Sequence, residues 1–160
     1  MKLYMKQKVF SLVDKYTFFD DMQNPVLKAT GKFFEFLPKY HLNDAITGAE
    51  MYYIKHVLTV FMGRFEIYSN NTLCAIVQQQ FAFFHPKLEI QSQYASYTIE
   101  GDYFAHDFTL FKNGQYFGSV HKKYLSWGDN YEIDIADPTD ASFVCALVIS
   151  IDSLMHNGRQ

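Results

Sequence analysis

The stretch that most constrains this chain is Ala141 to Ser150, "ASFVCALVIS", its most apolar run. Read as a helix, it is apolar on nearly every face, with only Ser142 and Ser150 interrupting. Such a helix belongs in a protein interior or in a bilayer. A spanning helix needs about 20 apolar residues, roughly twice this run. Asp152 follows Ile151 directly, and a mid-bilayer Asp costs about 2.5–3.5 kcal/mol even on insertion-based scales. The expectation is therefore a helix inside a protein. Asp137 supplies an N-cap, Pro138 suits the first helical position, and Asp140 complements the positive helix end. Asn157-Gly158 is a stop signal. The spacing predicts a helix from Pro138 to about His156, despite the β-branched Val144, Val148 and Ile149. Its core positions are Phe143, Val144, Leu147, Val148 and Ile151, closing on Asp152.

A buried helix needs a wall, and the preceding sequence reads as one. Phe65 to Ile90, "FEIYSNNTLCAIVQQQFAFFHPKLEI", aligns without a gap on Phe108 to Ile133, "FTLFKNGQYFGSVHKKYLSWGDNYEI". Each reads as an alternating strand, a polar turn ("SNNT", "KNGQ") and a second strand ("LCAIVQQQ", "YFGSVHKK"). An aromatic-rich strand, a second turn ("HPK", "GDN") and an alternating strand ending in Ile follow. A third copy runs from Tyr16 to Leu42, with the longer turn "DDMQN". Between the first and second copies, Gly48 reads as a turn between Ala45-Ile46 and Met51 to Thr59. Asn113-Gly114 is the strongest hairpin signal, because both residues tolerate positive φ. Period-2 alternation in "YEIDI" and "FEIY" supports strands. The count is roughly ten to twelve strands at short, regular spacing, which suggests a sandwich or a barrel. A barrel of about twelve strands is too wide for its own side chains to fill, and a central helix fills it. The expected fold is mainly β: a closed antiparallel barrel of hairpins around its own C-terminal helix. One domain covers residues 1–160, with strands over about 3–136, the helix over about 138–156, and a short polar tail.

Composition agrees and narrows the function. Hydrophobic residues make up 49% and charged residues 19%, which argues for a folded protein; the 18% aromatic content favours β structure. The formal net charge of -3 carries no global signal for nucleic acid. Cys74 and Cys145 show neither ligand spacing nor a disulfide framework, so a reducing, intracellular compartment is the simpler expectation. The N-terminus reads as a strand rather than a secretory signal.

The order of several weak motifs resembles a known family. Asn113-Gly114, then His121-Lys122-Lys123, Tyr124 and Trp127, then Val148-Ile149-Ser150-Ile151-Asp152 are similar to the pattern of the LURP-one-related (YxjI-like) proteins. These are grouped with the Tubby C-terminal domain and the phospholipid scramblases. The resemblance runs from about Tyr4 to Asp152. It implies a twelve-stranded barrel around a buried helix. "SNNT" and "DDMQN" depart from it by lacking the usual turn glycine. For function, the Tubby domain binds phosphoinositides through basic residues and scramblases act on phospholipids. The resemblance thus implies a non-enzymatic binding module, cytoplasmic and peripheral at a membrane, whose ligand is an anionic headgroup. The alternative is a structural or protein-interaction barrel.

Basic residues recur at matching places in the units: Lys39, Lys55, Arg64, Lys87, His121 and Lys123 are the candidate ligand contacts. For the His121-Lys122-Lys123 cluster the competing role is an exposed strand whose lysines discourage edge pairing. Trp127 could enter an interface, but a packing role is the expectation. The six histidines show neither an i, i+4 pair nor His-x-His, so no metal is expected. Asp102, His106 and Asp107 ("GDYFAHD") come nearest to a catalytic cluster and read more simply as a loop. No nucleophile elbow, P-loop or dinucleotide fingerprint occurs, so neither enzyme activity nor a cofactor is expected. Asp152, at the end of a buried helix, must be hydrogen-bonded, to backbone amides or to Tyr or Lys groups at the barrel rim.

Overall fold

The computed structural model describes residues 1–7, 14–32, 36–60, 63–80, 87–125 and 128–157. Twelve strands are followed by one helix. They are β1 (Lys2–Gln7), β2 (Asp14–Phe19), β3 (Pro25–Thr30), β4 (Lys39–Asp44), β5 (Glu50–Val57) and β6 (Arg64–Ser69). Then come β7 (Thr72–Gln80), β8 (Lys87–Gln91), β9 (Tyr97–Asp102), β10 (Asp107–Lys112), β11 (Gln115–Leu125), β12 (Gly128–Ile135) and α1 (Ala141–Asn157). Each strand pairs antiparallel with its sequence neighbours, and β1 pairs with β12 to close the barrel.

The hairpin chemistry is as expected. Asn113 and Gly114 both have positive φ, and so do Asn70 and Asn71. Asparagine tolerates the left-handed region, so "SNNT" makes its turn without glycine. A register shift sits beside the first turn of each unit, at Phe18/Phe19, Ile67/Tyr68 and Leu110/Phe111. The three units therefore share a defect as well as a pattern.

Several expectations shift. The second and aromatic strands expected in the Phe108 to Ile133 unit are one continuous strand, β11. "GDN" is not a turn: Gly128, Asp129 and Asn130 belong to β12, paired with Leu125, Tyr124 and Lys123. Ala45 and Ile46 lie in a turn rather than a strand, where Asp44 Oδ1 accepts hydrogen bonds from the Ile46 and Thr47 amides. Asp137 does cap, accepting from Thr139 N at 2.9 Å, but the turn it caps is a single 3₁₀ turn, Pro138–Asp140. The α-helix proper starts at Ala141.

Alternation puts Tyr40, Leu42, Ile54, Phe65, Ile67, Leu110 and Ile133 inside, where they meet Val144, Leu147, Val148 and Ile151 of α1, all buried. Gly118 on β11 makes room for this approach, since a Cβ there would stand 2.8 Å from the Asp134 carbonyl oxygen and 3.4 Å from Val144 Cγ1. Phe143 is only partly buried and wedges among Tyr52, Tyr97 and Phe117 at ring separations of 5.6, 5.5 and 6.3 Å. By length and composition Pro138–Met155 could cross a membrane, but 78% of it is enclosed by the barrel.

An up-and-down barrel has two ends. The β2–β3, β4–β5, β6–β7, β8–β9 and β10–β11 connections share one with the start of α1; this is the turn end. The β1–β2, β3–β4, β5–β6, β7–β8, β9–β10 and β11–β12 connections share the other, the loop end.

Candidate functional site

Three of the six candidate cations come together on the outside of β4–β6. Because Tyr40, Leu42, Ile54, Phe65 and Ile67 point inward, their neighbours Lys39, His41, Tyr53, Lys55, Arg64, Glu66 and Tyr68 point outward. The register sets Lys39 opposite Lys55 and Lys55 opposite Glu66. It sets His41 opposite Tyr53 and Tyr53 opposite Tyr68. Glu66 is the hub: it accepts from Arg64 Nη2 at 2.6 Å and from the Tyr68 hydroxyl at 2.5 Å, with Lys55 Nζ at 3.4 Å. Burial pushes the Glu66 carboxyl up, but the Tyr68 hydroxyl and the Arg64 guanidinium outweigh it and hold the group below its ordinary range. Lys55 also lies over the Tyr68 ring at 5.0 Å. Lys39 is exposed and makes no ion pair among the described residues.

Beside these cations a cleft of about 410 Å³ runs toward the turn end, lined by His41, Glu50, Tyr53, Lys55, Tyr68, Asn70 and Asn71. His41 Nδ1 bonds Glu50 at 2.6 Å and its ring stacks against Tyr53 at 4.9 Å. The face thus offers one cation with no ion pair among the described residues, two shared with a single carboxylate, and an aromatic, polar cleft.

The other three candidates lie elsewhere. Lys87 is exposed on β8, opposite Gln80. His121 and Lys123 sit on β11, six strands round the ring from β5. His121 is bound to Asp107 at 2.8 Å, and Lys123 is 3.6 Å from Glu132, which also holds Lys2 at 2.9 Å. Trp127 lies outside the described residues.

The "GDYFAHD" segment splits three ways. Asp102 caps its own turn by accepting from Ala105 N, and Asp107 faces solvent toward His121. His106, at φ 56°, turns inward and meets Asp152. Asp152 Oδ1 is 2.8 Å from His106 Nε2, and its Oδ2 accepts from the Tyr16 hydroxyl at 2.8 Å. Ser153 extends the cluster to Tyr16 at 3.2 Å and donates to the Tyr40 hydroxyl at 3.1 Å. Burial, then the Asp152 charge, pushes the Tyr16 hydroxyl well above its ordinary value. Buried, this cluster ties α1 to β2, β4 and the β9–β10 connection. Among the described residues no three His, Cys, Asp or Glu side chains gather in a way that could hold a metal ion.

The comparisons fit this architecture. The family model described as LURP-one-related matches residues 1–152. The chain belongs to the LURP-one-related family. The Bacillus subtilis (strain 168) protein YxjI is 30% identical over 157 residues, covering 98% of this chain and 95% of that protein. A crystal structure of an Arabidopsis thaliana protein superposes with a TM-score of 0.65 at 15% identity, covering 95% of this chain and 90% of the other. At that identity it speaks for the fold alone. This LURP-one-related chain is a closed barrel filled by its own helix, an architecture suited to binding at its outer surface.

Sequence reasoning missed Glu66, Tyr53, Tyr68 and His41 as parts of the outer site; it expected a Tyr partner for Asp152 without identifying Tyr16, or Ser153 and Tyr40 beyond it. Alternation in "RFEIY" does place Arg64, Glu66 and Tyr68 on one face. Nothing in the sequence marks His106 as inward.

Proposed function

We propose that this barrel is a non-enzymatic binding module that takes an anionic headgroup, the phosphate of a phospholipid, on the outer face of β4–β6. The observation that carries the reading is the convergence of Lys39, Lys55 and Arg64 beside an aromatic cleft. With α1 occupying the interior, the outer surface is where a ligand has room. Such a protein would work at the membrane surface as a peripheral component. Sedimentation with anionic and with neutral liposomes tests this: binding to the anionic vesicles that weakens with salt is expected, and equal, negligible binding to both refutes it.

A second reading, a protein-interaction barrel, draws on the β8–β9 seam. These strands meet through one register pair, Ile90 with Tyr97, beside a cavity of about 720 Å³ lined by Leu88–Ile99. An extended peptide could add there as a strand. A pull-down that retains a partner, lost when Thr98 or Ile99 becomes proline, would favour it over the lipid reading.

A further inference from the structure

The two ends of the barrel differ in chemistry, and the difference has a direction. The turn end carries Asp20, Asp21, Asp44, Glu50, Asp137 and Asp140, and its exposed apolar side chains, Met22 at 80% and Ile46 at 88%, stand among these acids. The loop end carries exposed apolar side chains at the tips of its connections. Phe36, between β3 and β4, is 86% exposed; Leu58 and Val60, between β5 and β6, are 63% and 86% exposed. These two connections are side by side, because Lys39 pairs with Lys55 and His56 N donates to the Pro38 carbonyl at 2.9 Å. The three tips therefore stand on neighbouring connections.

Cations stand directly behind the tips. Lys39 opens β4, Arg64 opens β6 and Lys87 opens β8, all at the loop end. Lys55 lies three residues below Leu58, about 10 Å at strand rise. That distance is within reach of a long side chain and about one Debye length. Of the acids at or near this end, Asp107 is engaged by His121, Asp102 by the Ala105 amide of its own turn, and Glu66 by Arg64 and Lys55.

We propose that the loop end docks end-on into the interface of an anionic lipid bilayer. Phe36, Leu58 and Val60 enter the headgroup–acyl boundary, Lys39, Arg64 and Lys87 face the headgroups, and the acidic turn end points away. This rests on the lipid-headgroup reading above for its ligand and adds the surface and the orientation. Isolated apolar tips backed by flexible cations suit a bilayer, where each tip is buried separately and lysine stems reach along the interface. A protein partner would want a continuous apolar core instead. The acid–base polarity along the barrel axis repels the wrong end from an anionic surface.

The test uses vesicles of phosphatidylcholine, with and without phosphatidylserine. An environment-sensitive fluorophore is placed at Val60→Cys and, separately, at Met22→Cys on the turn end, in a Cys74→Ser background; the other cysteine, Cys145, is buried. With phosphatidylserine vesicles the label at position 60 should shift to the blue and brighten, while that at 22 stays unchanged. The exposed Phe36→Ser/Leu58→Ser/Val60→Ser variant should keep its melting temperature and lose affinity by at least about tenfold. If the protein binds these vesicles but the label at 60 stays in water, or the triple variant binds undiminished, the insertion is wrong and the headgroup reading stands. An equal response at 22 and 60 overturns the orientation. Binding to neither vesicle overturns both readings, and equal binding to both vesicles that the triple variant loses supports insertion while refuting the headgroup reading.

Discussion

Asp152→Ala probes how the helix is locked into the barrel. The Asp152 side chain is 1% exposed, with Tyr16 on one oxygen and His106 on the other, both at 2.8 Å. Truncation leaves a buried phenol and a buried imidazole nitrogen without their acceptor. Leaving a buried group without its hydrogen-bond partner costs about 1–3 kcal/mol, and more at charged groups, so losing both partners together costs roughly 3–5 kcal/mol. For a chain of this size each kcal/mol moves the melting temperature by about 2–4 °C, so a fall of roughly 6–20 °C is expected. Tyr16→Phe removes a hydrogen bond to a charged acceptor and should cost about 1.5–3 kcal/mol. The two changes share that bond, so the double variant should be less destabilised than their sum by about 1 kcal/mol or more. Thermal and urea unfolding followed by circular dichroism measure all three. Asp107→Ala, from the same segment as His106 but 68% exposed, is the control and should melt like the parent. Strict additivity, or a melting temperature for Asp152→Ala within about 3 °C of the parent, would refute the lock.

Glu66→Gln should destabilise by about 1 kcal/mol near neutral pH, through weaker bonds to Arg64 and Tyr68. Because the folded Glu66 carboxyl lies below its ordinary 4.5, its stabilisation is present above that value and is lost as pH falls through the folded one. The gap between parent and variant in urea unfolding should therefore narrow as pH drops below about 4.5. Gly118→Val would drive a Cβ toward the Asp134 carbonyl and Val144, and should cost about 1–3 kcal/mol in the same assay. Val148→Asp puts an unpaired charge at the centre of α1; the several kcal/mol this costs rivals the whole stability of a domain, so soluble yield should collapse. A soluble, folded Val148→Asp protein would show that the helix is not the core.

The barrel was readable because its units repeat and because one apolar run is too short to span a bilayer and too apolar to face water. What escaped was decided by pairing rather than by local preference. Gly128, Asp129 and Asn130 are turn formers, yet β11 continues to Leu125 and pairs with them. Alternation assigns Lys39, Lys55, His121 and Lys123 to the outside, but only closure of the ring sets β5 and β11 on opposite sides. Asp152 was legible as a buried carboxylate needing a partner. His106 was not legible as that partner, because its inward turn depends on a positive φ, uncommon in any residue but glycine, that no local motif announces.

Placement of charge offers the most direct test of the binding account. Lys39→Gln/Lys87→Gln removes two cations from the loop end, and Lys2→Gln/Lys112→Gln removes two from the turn end, leaving the same net charge. A lysine near an anionic bilayer contributes about 1 kcal/mol. The affinity of each variant for phosphatidylserine-containing vesicles should therefore fall about 30-fold for the first pair and stay within about twofold of the parent for the second. Equal losses in the two variants would contradict a binding surface at the loop end.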